Sequence, residues 1–102
     1  MNFEMITPKE LDRYLHRGDT FIIDLRPPKE YRERHLKGAV NIPYEKLSGC
    51  CLFPRDRLLL FYCDRGSMSM LAAREYAEKG YRTKTVVGGF LAYQGRETES
   101  FR

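Results

Sequence analysis

The chain has 102 residues, of which 42% are hydrophobic and 31% are charged, and its formal net charge is +4. This length and composition are typical of one globular domain, so we predict a single domain over residues 1–102, with its core at about 5–95 and a polar tail at 96–102. The basic residues are scattered along the chain, which disfavours a nucleic-acid-binding face. No long apolar run is present, which disfavours a signal peptide, a transmembrane helix or a membrane partner. We therefore expect a cytoplasmic protein.

Short helices and short apolar strands alternate along the chain. Thr7 and Glu10 have the spacing of a capping box, and the helix that they begin carries Leu11, Tyr14 and Leu15 on one face. This order of elements predicts an α/β fold in which a mostly parallel sheet has helices on both faces. We expect the polar tail to be frayed. Strands are predicted at 21–25, 57–63 and 84–87, a short extended segment at 38–43, and helical segments at 29–36, 44–47, 67–79 and 90–94.

Cys63 stands at the end of the most apolar strand, directly before a polar loop and a helix. Ligands of parallel sheets bind beyond the carboxyl ends of the strands. The free N–H groups at the start of a helix stabilise an anion, and Gly66 allows the loop to curl around it. Arg65 adds a positive charge, and Ser67 and Ser69 add hydroxyl groups. We therefore predict that Cys63 is a thiolate nucleophile, with a buried, unreactive cysteine as the alternative.

Three cysteines do not form a disulfide framework, because one thiol is always left over. The chain has no Cys-x-x-Cys motif, and His16 and His35 are far from the cysteines in sequence, so we expect no metal site. Cys50 and Cys51 are adjacent. They could resolve an oxidised or persulfidated Cys63, or they could have no such role.

Three motifs in the same order and spacing make the sequence resemble the rhodanese domains. The resemblance covers residues 7–94, which is almost the whole chain. The Cys-x-x-Gly-x-x loop is the second of the motifs, and it would carry little weight alone. The three motifs are residues 23–26 with 30–31 and 35–43, then 63–69, and then 87–90.

The resemblance implies a rhodanese-like domain with a mostly parallel five-stranded sheet and a sulfurtransferase activity. Cys63 would carry sulfane sulfur as a persulfide, from thiosulfate or a persulfide donor to a thiol or to cyanide. The partners implied are these small molecules and, as a further candidate, a sulfur-relay protein. The chemistry needs no metal ion or organic cofactor. The substrate-binding residues implied are those of the loop, Asp64, Arg65, Gly66, Ser67, Met68 and Ser69.

The loop departs from the family pattern at two positions. Many of these sulfurtransferases have an arginine directly after the cysteine and a basic residue at the sixth loop position, where this chain has Asp64 and Met68. An Asp64 carboxylate that points inward opposes the binding of an anion, whereas the positive charge of Arg65 favours it. These departures therefore leave the identity of the sulfur donor undecided between thiosulfate and a persulfide. A catalytically silent module that binds a partner or senses redox state is the second hypothesis. A phosphatase or arsenate reductase of the Cys-x5-Arg type is disfavoured, because no arginine stands at 68 or 69.

Several charged or flexible residues are interpreted as scaffold. Asp24 and Arg26 are predicted to form a structural ion pair at the end of a buried strand. Glu30 is also interpreted as scaffold. His35 is predicted to hydrogen-bond the backbone rather than to move protons. The glycines at 88–89 are predicted to let the backbone approach the active-site loop closely.

Overall fold

The structure is a computed structural model, and it describes residues 3–49 and 53–101. The described residues form seven β-strands, three α-helices and three 3₁₀ turns. The strands are β1 (Glu4–Ile6), β2 (Thr20–Asp24), β3 (His35–Leu36), β4 (Val40–Asn41), β5 (Leu58–Tyr62), β6 (Arg82–Val86) and β7 (Thr98–Glu99). The helices are α1 (Leu11–Leu15), α2 (Pro28–Glu33) and α3 (Ser67–Glu78), and the 3₁₀ turns are Pro8–Glu10, Tyr44–Gly49 and Phe90–Ala92.

Five strands form a parallel sheet in the order β1-β6-β5-β2-β4. The central strand, β5, is buried along its whole length. A continuous apolar run is typical of a parallel strand that is covered on both faces. All five carboxyl ends lie at the same edge of the sheet, so Cys63, which follows β5, lies at the centre of that edge. The predicted α/β fold is confirmed.

The hydrophobic core lies in two layers, one on each face of the sheet. Alternate residues of β5 serve the two layers: Leu59 and Phe61 pack with Tyr76 of α3, whereas Leu60 and Tyr62 join a cluster with α1. This alternation follows from the period of two residues in a strand. Helices therefore cover both faces, as predicted. The longest described helix, α3, has 12 residues, and no helix among the described residues is long and apolar enough to cross a membrane.

The predicted capping box is present. The Glu10 amide donates to the Thr7 hydroxyl at 3.3 Å, and the Thr7 amide donates to the Glu10 carboxylate at 3.0 Å. These bonds satisfy N–H groups that lack a partner inside the helix. They begin a 3₁₀ turn that continues into α1.

Two predictions about local structure are wrong, and both concern the small antiparallel sheet formed by β3 and β7. The helical segment predicted at 29–36 ends at Glu33, and His35–Leu36 is a strand. The tail is not frayed, because β7 pairs with β3 and the Phe101 amide donates to the Arg32 carbonyl at 2.8 Å. The reason is the same in both cases: each segment gains partners that lie far away in sequence, and local propensity does not encode them.

The edge strand β1 was not predicted either. Of its residues Glu4 and Met5 are exposed and Ile6 is buried, so the segment lacks the apolar run that marks a strand. Its pairing with β6 holds it in place.

Candidate active site

Cys63 occupies the turn between β5 and α3. The turn closes at Gly66, whose φ of +105° lies in the left-handed region that favours glycine, and α3 begins at the next residue. The sulfur-bearing side chain is 5% exposed. The Cys63 carbonyl accepts from the Phe90 amide at 2.8 Å, which ties the turn to the segment after β6.

Among the described residues, two polar groups form hydrogen bonds with the Cys63 sulfur. The Gly66 amide donates to Sγ at 3.2 Å, and the Ser69 Oγ lies 3.7 Å from Sγ and accepts from the thiol. Ser69 is fully buried in the first turn of α3. A backbone amide and a hydroxyl at the start of a helix stabilise negative charge on the sulfur. The loop can therefore support a thiolate or a persulfide anion.

Cys63 lines a cavity of about 380 Å³. Four of the six loop residues that were predicted to bind substrate line it, while Gly66 and Ser69 lie at the sulfur itself. The rest of the wall comes from the segment after β2, because β2 is the neighbour of β5 in the sheet. The lining residues are Leu25, Arg26, Pro27, Cys63, Asp64, Arg65, Ser67 and Met68.

Arg26, which belongs to this wall, forms the predicted ion pair with the buried Asp24. The Arg26 guanidinium donates to both carboxylate oxygens of Asp24, at 2.7 Å and 3.0 Å, and the Tyr62 hydroxyl donates to the same carboxylate at 2.7 Å. Burial raises the pKa of the Tyr62 hydroxyl, and the nearby Asp24 carboxylate adds to this effect. Tyr62 therefore stays protonated and remains a donor. These bonds fix the side chain of Arg26, which is one of the residues that line the cavity.

The Asp64 carboxylate forms an ion pair with the Arg26 guanidinium. Its Oδ1 lies 3.8 Å from a guanidinium nitrogen of Arg26. Glu30, interpreted as scaffold from the sequence, lies against Asp64. A hydrogen bond with Asp64 raises the pKa of the Glu30 carboxyl, and partial burial raises it further. The cavity lining thus includes the Asp64 carboxylate and the buried Arg26, and the Glu30 carboxyl lies next to Asp64.

Two scaffold predictions are confirmed close to the site. A Cβ built on Gly89 would lie 2.6 Å from the Cys63 carbonyl oxygen and would also clash with the Asp64 carbonyl, so glycine is required for this close approach. His35 donates from Nδ1 to the Tyr31 carbonyl at 2.6 Å, and it is not among the residues that line the cavity. His35 therefore holds the backbone.

Sequence reasoning missed the part of the site that comes from β2. The sequence pattern assigns Arg26 only to an ion pair, and it gives no site role to Leu25 and Pro27, although all three line the cavity. The charged pair at 24 and 26, at the end of a buried strand, was a usable signal for Arg26. Cys50 and Cys51 lie outside the described residues. Within the described ranges, no group of three or more His, Cys, Asp or Glu side chains is placed to hold a metal ion.

Comparison with known proteins agrees with this fold. The Rhodanese-like domain family matches residues 7–96. A tRNA sulfurtransferase of Desulfurococcus amylolyticus is 35% identical over 77 residues, which are 76% of this chain and 15% of that protein. The thiosulfate sulfurtransferase PspE of Escherichia coli is 30% identical over 70 residues, covering 66% of this chain and 67% of PspE.

A solved structure agrees as well. The reduced CoADR-RHD of Bacillus anthracis superposes with a TM-score of 0.82 at 35% identity, over 89% of this chain and 16% of that one. The chain thus spans about a sixth of the length of this protein and of the tRNA sulfurtransferase. The family match covers far more than half of the chain, and it includes Cys63 and the other residues that line the cavity. The chain belongs to the Rhodanese-like domain family.

Proposed function

We propose that the protein is a sulfurtransferase that carries sulfane sulfur as a persulfide on Cys63. The observation that carries the proposal is that Cys63 lines a cavity and that its sulfur accepts from the Gly66 amide at 3.2 Å. That amide stabilises charge on the inner sulfur in the same way that oxyanion-hole amides stabilise a developing oxyanion. Relatives that are named sulfurtransferases support this reading.

The reaction has two displacement steps at sulfur. In the first, the Cys63 thiolate attacks the outer sulfur of the donor, an S–S bond forms, and the bond to the leaving group breaks. With thiosulfate, the leaving group is sulfite, which departs with the electron pair, and the enzyme holds Cys63–S–S⁻. In the second step, a thiolate or cyanide attacks the outer sulfur of the persulfide, and the Cys63 thiolate is released. Charge and sulfur balance in both steps, so no external oxidant is needed.

The charges around the cavity affect which sulfur donor can bind. Arg26 and Arg65 line the cavity and attract an anion, whereas Asp64 and its neighbour Glu30 oppose a dianion. We propose thiosulfate or a persulfide as donor, and a thiol, cyanide or a sulfur-relay protein as acceptor. The name of PspE supports thiosulfate. We also propose that the domain of residues 1–102 transfers sulfur by itself and that it does so in the cytoplasm.

Mass spectrometry after incubation with a donor tests the proposal. Tryptic cleavage after Arg57 and Arg65 releases a peptide, 58–65, in which Cys63 is the only cysteine. We expect this peptide to gain one sulfur atom with thiosulfate or with a persulfide donor. The Cys63→Ser variant should show no gain, and the matched Cys50→Ser variant should retain it.

An unmodified peptide with every donor would contradict the proposal. It would favour the second hypothesis, a rhodanese-like module that binds a partner or senses redox state without transferring sulfur. Sulfur found only on the peptide with Cys50 and Cys51 would also contradict the assignment to Cys63.

A further inference from the structure

A buried hydroxyl group lies directly behind the residue that contacts the Cys63 sulfur. Thr85, on β6, is fully buried, and its Oγ1 donates to the Ser69 Oγ at 2.7 Å. Ser69, also fully buried, lies 3.7 Å from the Cys63 Sγ. The three side chains form a chain of polar groups from β6 to the sulfur, in which Thr85 and Ser69 are shielded from water.

The hydrogen bonds of Ser69 depend on the charge of the sulfur. A serine hydroxyl has one hydrogen and two acceptor lone pairs. In the structure its hydrogen points to the Gly66 carbonyl at 3.1 Å, and the Cys63 thiol donates to its oxygen. A thiolate or persulfide anion has no hydrogen to donate, so Ser69 can then turn its own hydrogen towards the sulfur. Donation from Thr85 to the Ser69 oxygen is compatible with both arrangements.

We propose that Thr85 is a positioning residue for the reactive sulfur, acting through Ser69. By donating to the Ser69 oxygen, Thr85 keeps that hydroxyl beside the sulfur and strengthens its donation to the anion, because hydrogen bonds in a chain polarise one another. The inference rests on the proposed role of Cys63 as a nucleophile. It assigns Thr85, which lies outside the loop and does not touch the cavity, a part in sulfur loading.

The same strand supplies a matched control. Thr83 lies two residues before Thr85 on the same face of β6, is also buried, and donates to the Ala73 carbonyl at 2.7 Å. Ala73 is one turn beyond Ser69 on α3. Thr83 therefore makes an equivalent buried bond between β6 and α3 that ends on the backbone and does not reach the sulfur.

The experiment measures alkylation of Cys63 by iodoacetamide, quantified on the peptide 58–65, together with sulfur loading from thiosulfate. We expect Thr85→Val to slow both reactions about five- to tenfold near neutral pH, since one hydrogen bond to an anion is lost, and to move the pH profile of alkylation to higher pH. Thr85→Ser keeps the hydroxyl and should restore the rate to within about twofold. Thr83→Val should lower the melting temperature to a similar degree while leaving the profile unchanged.

Equal rates in Thr85→Val and Thr83→Val would overturn the proposal and leave Thr85 a packing residue. If Thr85→Val does not fold, Thr85→Ala carries the same prediction without the second methyl group. In a Ser69→Ala background, Thr85→Val should cause no further loss, and an additive loss would contradict action through Ser69. Alkylation reports on the sulfur without any donor, so a failure of sulfur transfer remains distinguishable from a failure of this inference.

Discussion

At the scale of single residues, the site balances positive and negative charge within one small cavity. Arg26 is held by Asp24 on one side and lies near Asp64 on the other, so part of its charge is neutralised before a ligand arrives. The Asp64 carboxylate in turn raises the pKa of the nearby Glu30 carboxyl. The charge that an incoming anion meets therefore depends on two carboxyl groups, and both can be tested.

Replacing Asp64 should favour anionic reagents. We expect Asp64→Asn to raise kcat/KM for thiosulfate about three- to tenfold, because the carboxylate no longer repels the dianion or occupies Arg26. Alkylation by neutral iodoacetamide should change much less. Asp56→Asn is the matched control, since Asp56 is exposed near the opposite end of β5. A thiosulfate rate that is unchanged or lower in Asp64→Asn would contradict this account.

The raised pKa of Glu30 predicts a pH dependence. Below that pKa the Glu30 carboxyl is neutral, and above it a second negative charge appears beside Asp64. The rate ratio of anionic iodoacetate to neutral iodoacetamide should therefore fall as pH rises through the Glu30 titration. Using a ratio cancels the ionisation of the sulfur itself. Glu30→Gln should flatten the fall, and a fall of the same size in that variant would show that another group causes it.

At the scale of elements, the site depends on two turns that are packed against each other. The turn from β5 to α3 and the turn after β6 are joined by the bonds from the Phe90 amide to the Cys63 carbonyl and from the Leu91 amide to the Asp64 carbonyl, at 2.8 Å and 3.0 Å. These bonds require backbone to approach backbone at Gly89, where no side chain fits. The shape of the cysteine loop is thus set partly by a second segment.

Gly89→Ala should disrupt this contact. The new Cβ would meet two carbonyl oxygens, and the φ of +66° is unfavourable for alanine, so we expect a loss of at least about 2 kcal/mol in the free energy of unfolding. Gly18→Ala is the control, because a Cβ there has nothing within 4 Å. Its effect should stay within about 1 kcal/mol. Urea unfolding measures both, and similar losses in the two variants would refute the packing argument.

At the scale of the whole molecule, the segment after Gly95 packs against β3, which follows α2, and holds it in place. β7 pairs with β3, and the Phe101 ring lies against the buried His35 ring with centroids 4.7 Å apart. The Lys37 amide also donates to the Glu97 carbonyl at 3.0 Å. Leu36 of β3 belongs to the buried cluster on the α1 face, and the Phe101 amide bonds to Arg32 of α2, so the tail supports both the core and the helix that carries Glu30.

Removing residues 96–102 should lower the free energy of unfolding by about 1–3 kcal/mol, because ladder hydrogen bonds and an aromatic contact are lost. Phe101→Ala, which keeps the strand, should cause a smaller loss. Urea unfolding of the two variants separates the two contributions. A shortened protein as stable as the full chain would mean that the tail contributes nothing to the fold.

The sequence alone was sufficient for the alternation of elements, the parallel sheet and the position of Cys63 before a glycine turn. These features are local: an apolar run, a helix cap or a left-handed glycine is encoded within a few neighbouring residues. The edge strand β1 and the pairing of β7 with β3 were missed because their residues are mostly polar and their partners are distant in sequence.

Only the tertiary structure decided what surrounds the sulfur. It brought Arg26 from the end of β2 and Thr85 from β6 to the two sides of the cysteine turn, and it directed the Asp64 carboxylate towards Arg26. The physical reason is the strand order, in which β2 and β6 are the two neighbours of β5 although they lie far from Cys63 along the chain. The residues of the loop identified a reactive cysteine, and the two flanking strands determine its electrostatic environment.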